Sequence, residues 1–89
     1  MREKVFSKNI RIAAEKVALV EYFLETQYNR EFEKELYGVS IETRDGEERA
    51  TARDMFIYRE NAMEFIRILH KNNVTAVSLR DIAEDFIYG

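Results

Sequence analysis

The 89-residue chain contains no cysteine, no proline and no tryptophan, and it has only three glycines and one histidine. Without cysteine, a disulfide, a thiolate metal site and a catalytic thiol are all excluded. Three glycines cannot build a glycine-rich phosphate loop, and G-x-x-x-x-G-K-[ST], G-x-G-x-x-G and G-x-S-x-G do not occur. The sequence therefore offers no familiar nucleotide loop or serine-hydrolase elbow.

Long apolar runs are also missing, and no apolar segment of the kind found in signal peptides follows the opening Met1-Arg2-Glu3-Lys4. We therefore expect no membrane span and, by default, a cytoplasmic protein. The length predicts one domain covering residues 1–89. The chain contains fourteen Lys and Arg and seventeen Asp and Glu, which gives a net charge of −3. This balance opposes non-specific nucleic-acid binding, because such binding depends on neutralising phosphates.

The first two thirds of the chain read as β-strands. Alternating apolar and polar residues predict strands over Lys4 to Ile12, Lys16 to Asn29, Leu36 to Thr43 and Glu48 to Asp54. Asp45-Gly46 predicts a two-residue hairpin between the last two of these strands. Residues 16–29 could alternatively form a helix, but their β-branched and aromatic content favours a strand.

The last third reads as two amphipathic helices. In the first, apolar residues recur at i, i+3, i+4 and i+7, and they are Ala62, Phe65, Ile66 and Leu69. The second carries a similar stripe, and Ser78 before it is interpreted as the helix cap after an extended segment Asn73 to Val77. The whole pattern predicts an α+β fold: a four-stranded antiparallel meander followed by two C-terminal helices packed on one face.

This arrangement leaves the second face of the sheet without a helix. The second strand places Val17, Leu19 and Phe23 on that face. Burying three such side chains would stabilise the protein by about 1.5–3 kcal/mol each. A second copy of the chain is the simplest cover, since twofold dimers are the commonest oligomers. The sequence thus predicts a homodimer with Val17, Leu19 and Phe23 in its interface.

Candidate catalytic and metal-binding residues are few. His70 lies near the end of a predicted helix and has no second histidine to pair with, so it is interpreted as a helix-terminal cation. Asp81, Glu84 and Asp85 could hold a hard cation, but acidic residues early in a helix usually face solvent and complement its dipole. We therefore expect no enzymatic activity, no metal and no cofactor.

The residue types suggest two further binding surfaces. Aromatic residues on the strands invite comparison with RNA-stacking sheets, and they are Phe6, Tyr22, Tyr28 and Tyr37. The basic RNP octamer is missing, so packing in the core or an interface is the preferred interpretation. Basic residues cluster near the start of the chain and could form a docking patch or a solvated strand face, and they are Arg2, Lys4, Lys8, Arg11 and Lys16.

The segment from Val74 to Ile87 has the form V-T-x-V-x-L-x-D-I-x-x-D-F-I. It resembles the ending of a family of small uncharacterised proteins from clostridia and related Firmicutes, with looser likeness at Lys4-Val5-Phe6 and Leu36-Tyr37-Gly38-Val39. The resemblance covers most of the chain. It implies a β-rich first half followed by a helix, and a domain of unknown function with no assigned activity, ligand or catalytic residue.

The resulting expectation is a non-enzymatic protein-interaction or regulatory domain that acts as a homodimer, with an unidentified protein partner also possible. An alternative is a small-ligand or nucleotide-binding module with a pocket between the helices and the sheet, near Tyr58 and His70. A third is nucleic-acid binding through the basic residues at the start.

Overall fold

The structure is a computed structural model that describes residues 1–44 and 48–88, apart from the side chains of Ile12 and of residues 86–88. Its six elements follow in the order β1 Arg2–Ala13, β2 Lys16–Asn29, β3 Lys34–Thr43, β4 Glu48–Phe56, α1 Arg59–Lys71 and α2 Ala76–Tyr88. The predicted α+β fold class is confirmed. The hairpin prediction at Asp45-Gly46 lies outside the described residues.

The four strands form one antiparallel sheet in the order β1-β2-β3-β4. Residues 16–29 are a strand, so the helical alternative for this segment is wrong. Its even-numbered residues face the helices, and Val20, Tyr22 and Leu24 are almost completely buried there. Tyr22 lies opposite Phe6 on β1 and Ile41 on β3, which places it at the centre of the core.

Both helices pack on the same face of the sheet, which we call the inner face. Helix α1 crosses β2, β3 and β4, whereas α2 lies mainly over β4. The predicted stripe of α1 is confirmed, since Ala62, Ile66 and Leu69 are buried and Phe65 is half-buried. On β4, the small side chains of Ala50 and Ala52 allow α2 to approach closely, and they pack against the core.

A defined set of backbone hydrogen bonds in the loop between the helices ends α1. Asn73 adopts φ 55°, its N–H donates to the carbonyl of His70, and the N–H of Val74 donates to the carbonyl of Leu69. This is the Schellman arrangement that satisfies the last carbonyls of a helix. The hydroxyl of Tyr22 donates to the carbonyl of Val74 at 2.7 Å and ties the loop to β2.

Helix α2 begins earlier than the sequence pattern suggested. Ala76 is its first residue, and the N–H of Ser78 donates to the carbonyl of Thr75. Ser78 therefore lies inside the helix, and its assignment as the cap is wrong. The extended segment is also shorter than the predicted Asn73 to Val77, because the Schellman turn at Asn73 lets the next helix start after two residues.

Both edge strands of the sheet, β1 and β4, are irregular. The register of β1 against β2 shifts between Lys4 and Phe6 and again between Arg11 and Ala13. That of β4 against β3 shifts opposite Gly38, where Asp54 has φ 56°. A Cβ on Gly38 would lie 2.1 Å from the carbonyl oxygen of Ala52, so this crossing leaves room only for glycine. No helix in the described part of the chain is long and apolar enough to cross a membrane.

Candidate interaction surface

The face of the sheet opposite the helices, which we call the outer face, carries the predicted interface residues. Val17, Leu19 and Phe23 have the parity opposite to the buried Val20 and Tyr22 and so point away from the helices. Val17 is 51% exposed, and Leu19 and Phe23 are half-buried. The structure thus places all three on one face without covering them by either helix.

The ring of Phe23 is partly covered on this face by the side chain of Arg2. The Arg2 guanidinium carbon lies 3.7 Å from the centroid of the Phe23 ring, a cation–π contact. The same guanidinium pairs with Glu25, at 3.5 Å, and with Glu42. Glu25 also accepts a hydrogen bond from the Ser40 hydroxyl at 2.7 Å. Two carboxylates therefore hold Arg2 over the ring.

A second charged cluster surrounds Glu21, which is only 5% exposed. Its carboxylate lies 3.3 Å from the Lys4 ammonium and accepts a hydrogen bond from Arg44 at 3.0 Å. Arg49 extends the pattern by pairing with Glu42 at 2.8 Å. Acidic side chains thus lie on the central strands β2 and β3, where Glu21 and Glu42 are cross-strand neighbours, and basic side chains flank them on β1 and β4. The outer face is a mixed surface, in which apolar groups lie between charges of both signs.

His70 occupies a different environment from the one expected. Its ring stacks on Phe6 with centroids 4.4 Å apart, and it meets Tyr22 edge-on at 5.6 Å. Burial and, after it, the nearby Lys8 ammonium lower the pKa of His70. The predicted position of His70 in the last turn of α1 is confirmed, whereas its lowered pKa favours the neutral ring over the expected cation. Lys8 itself donates to the His70 carbonyl oxygen at 2.6 Å and supplies the cation at this helix end.

The other sequence candidates are spread over the molecule. Asp81, Glu84 and Asp85 are exposed on α2. Among the residues that the structure describes, no three His, Asp or Glu side chains come together as a metal site. Tyr58 and His70 lie at opposite ends of α1, about 18 Å apart for twelve residues of helix, so they cannot line one small pocket.

The strand aromatics do not form a stacking platform. Tyr22 is fully buried and Phe6 is covered by His70, while Tyr37 is half-buried and Tyr28 is 59% exposed. These side chains belong to the inner face, which the helices occupy. Their preferred interpretation as packing residues is confirmed for Phe6 and Tyr22.

The basic residues of the first strands also separate into groups. Arg2 and Lys4 pair with glutamates on the outer face, and Lys8 binds a helix carbonyl. Arg11 and Lys16 instead line a cavity at the far end of the sheet. The sequence pattern predicted neither the position of Arg2 over the Phe23 ring nor this cavity, because each depends on residues that are distant along the chain.

The cavity has a volume of about 530 Å³ and lies where α2 begins. Strand ends contribute one side and the loop between the helices the other, and its lining residues are Ile10, Arg11, Lys16, Thr43, Glu48, Asn73, Thr75 and Val77. Thr43 is the most buried polar residue among them, at 3% exposure. Its hydroxyl has no hydrogen-bond partner among the described residues.

The fold and its surfaces define a two-layer α+β domain with a mixed charged and apolar sheet face. The chain belongs to a family of unknown function (DUF6514), whose pattern matches residues 1–89. The resemblance to a domain of unknown function is therefore confirmed. Neither the curated proteins nor the solved structures include a match to the chain.

Proposed function

We propose that the protein is a non-enzymatic interaction domain that self-associates through the outer face of its sheet. Val17, Leu19 and Phe23 form the apolar part of this interface. The observation that carries the proposal is that both helices pack on the inner face, so these side chains remain partly exposed. Transfer of the remaining exposed surface from water to a partner would supply the driving force.

The distribution of charge supports a second copy of the chain as the partner. In a twofold interface the same patch meets itself, so it must be complementary to itself. The outer face can meet this requirement because it carries both signs, with Glu21, Glu25 and Glu42 on the central strands and basic side chains on the edge strands β1 and β4. A face of one sign would instead repel its copy.

The size of the face sets the expected affinity. Four strands spaced about 4.8 Å apart and about ten residues long cover roughly 600 Å², or roughly 1,200 Å² for two copies. This is the lower limit of specific interfaces. Much of the face is polar, and Phe23 is already shielded by Arg2. We therefore expect a dimer that dissociates at low protein concentration rather than a permanent one.

Sedimentation equilibrium over a range of protein concentrations tests the proposal. The average mass should approach twice the monomer mass at high concentration, and Leu19→Glu combined with Phe23→Glu should return it to the monomer. Val17→Glu alone should weaken association, and because Val17 is half exposed this variant should fold normally. Far-UV circular dichroism verifies the fold of each variant.

Ile68→Glu is the matched control. Ile68 is 48% exposed on α1, on the opposite side of the molecule, and its substitution changes the net charge by the same amount as Val17→Glu. It should leave the association constant unchanged. A monomer at all concentrations, or dissociation by Ile68→Glu but not by Val17→Glu, would contradict self-association through the outer face.

A further inference from the structure

We infer that Arg2 is a displaceable cover that limits self-association through the outer face, an inference that rests on the proposed function. The Arg2 guanidinium carbon lies 3.7 Å from the centroid of the Phe23 ring, which is contact distance for a cation–π pair. The ring face that the guanidinium occupies is therefore closed to a second copy of the chain. Phe23 can present that face to a partner only after Arg2 has moved aside.

The sheet register explains how the cover is built. Arg2 on β1 and Glu25 on β2 are cross-strand neighbours, and Phe23 lies two residues from Glu25 on the same face. The Arg2 side chain continues over the ring and reaches Glu42 on β3. It thus spans three strands and is held by two carboxylates, with Glu25 at 3.5 Å. A guanidinium suits this position because it is planar, stacks on aromatic rings and has several N–H donors for carboxylates.

The two carboxylates that hold Arg2 are themselves fixed. Glu25 accepts a hydrogen bond from the Ser40 hydroxyl at 2.7 Å, and Glu42 pairs with Arg49 at 2.8 Å. The glutamate side chains are only 20% and 21% exposed, and that of Arg2 is 36% exposed. Charges that join a network contribute more than isolated surface pairs. We therefore expect Arg2 to cover the ring in the free monomer.

The cover divides the apolar part of the outer face. Val17 stays 51% exposed, whereas Phe23 is half-buried under Arg2. A covered monomer can therefore offer only part of its apolar surface to a partner. Moving Arg2 aside gives up a cation–π contact and two ion pairs, so we expect the cover to lower the association constant by about tenfold.

Ionic strength is the condition to which this cover should respond. The ion pairs of Arg2 remain partly exposed, and salt screens such charges within about 10 Å at 0.1 M and about 3 Å at 1 M. Added salt should therefore loosen Arg2 and uncover the ring. This effect is opposite in sign to that of salt on an interface held by charges alone, which weakens as salt is added.

Phe23→Trp reports the cover directly, because the wild-type chain contains no tryptophan and indole is the best cation–π partner. Acrylamide quenching is measured at concentrations at which sedimentation gives the monomer mass. Removing the cover with Arg2→Gln and Glu25→Gln leaves the net charge unchanged. It should raise the quenching constant by about twofold, because one ring face is opened. Added sodium chloride should raise quenching in the covered protein but not in the uncovered one.

The same pair of substitutions without Phe23→Trp measures the effect on association. Arg2→Gln with Glu25→Gln should raise the association constant by about tenfold in sedimentation equilibrium. The matched control is Arg67→Gln with Glu64→Gln, which removes an exposed ion pair of 3.0 Å on α1 and should change neither readout. Arg2→Lys keeps the charge and both carboxylates but not the planar group, so it should fall between the two. Circular dichroism verifies each fold.

Three outcomes would overturn the inference. Equal quenching with and without Arg2 would show that the ring is not covered, and it would leave the proposed function intact. Raised quenching with an unchanged or lower association constant would show that the cover does not limit association. Raised quenching with the monomer mass at every concentration and in every variant would contradict the proposed function, and the inference with it.

Discussion

Gly38→Ala should destabilise the protein strongly, although alanine is normally preferred to glycine in a strand. A Cβ at this position would lie 2.1 Å from the carbonyl oxygen of Ala52 and 2.9 Å from the Cα of Arg53. Both atoms belong to backbone, so no side chain can rotate away. Relief requires β4 to move by about 1 Å or more, because ordinary contacts begin near 3.4 Å.

The two opposing contributions can be compared. Replacing glycine by alanine stabilises by about 0.4–1 kcal/mol where the backbone permits it, through the unfolded state. Overpacking costs about 1–3 kcal/mol or more. Displacement of β4 would also disturb the pairing of Val39 with Ala52 and the packing of Ala52 under α2. We expect a net loss of about 2–3 kcal/mol, a large share of the roughly 4–13 kcal/mol available to a domain of this size.

Urea unfolding followed by circular dichroism measures the effect, with Ser7→Ala at an exposed position of β1 as the control. The control should change the free energy of unfolding by no more than about 0.5 kcal/mol. A Gly38→Ala protein as stable as the wild type would show that β4 does not cross β3 as closely as described.

Three further predictions concern two single side chains and one pair. His70 has a lowered pKa in the folded protein, so the unfolded chain takes up its proton first as the pH falls; stability is retained above about pH 6.5 and lost below it. His70→Phe should keep the stack on Phe6 and reduce this loss, as measured by urea midpoints at about pH 7.5 and 5.5; an unchanged pH dependence would contradict the assignment. Tyr22→Phe should cost about 1–2 kcal/mol in urea unfolding, because the Val74 carbonyl loses its donor, and a neutral effect would show that the loop is not held by this bond. Asp81→Asn with Asp85→Asn should change stability by less than about 0.5 kcal/mol with or without added Mg²⁺, since both are exposed; Mg²⁺-dependent melting of the wild type alone would instead reveal a cation site.

The architecture could be predicted because it depends on local periodicity. The even-numbered residues of β2, such as Tyr22 and Leu24, are apolar, whereas the odd-numbered Glu21 and Glu25 are polar, and the stripe of α1 repeats every three to four residues. These patterns alone determine which side of each element is buried.

The errors arise where distant residues decide the outcome. Ser78 looked like a cap, but the Schellman turn at Asn73 shortens the loop and moves the start of α2 to Ala76. His70 looked like a helix-terminal cation, but Phe6 and Lys8, more than sixty positions away, make its site favour the neutral ring. The residues of the outer face were placed on the correct side of the sheet. Their charged surroundings could not be predicted, because Arg2 on β1 reaches across β2 to Glu42 on β3.

The irregular edge strands β1 and β4 restrict how copies of this protein can associate. Strand β1 has one unpaired edge, and an unbroken edge of that length would be a template for adding another strand. The shift near Val5 interrupts its row of backbone groups, and the positively charged Lys4 and Lys8 flank the break. On the other side, the kink at Asp54 ends the straight part of β4. These interruptions disfavour the addition of strands from other copies at either edge, and so they protect the fold against fibril-like assembly. Contact between copies is then restricted to the faces of the sheet.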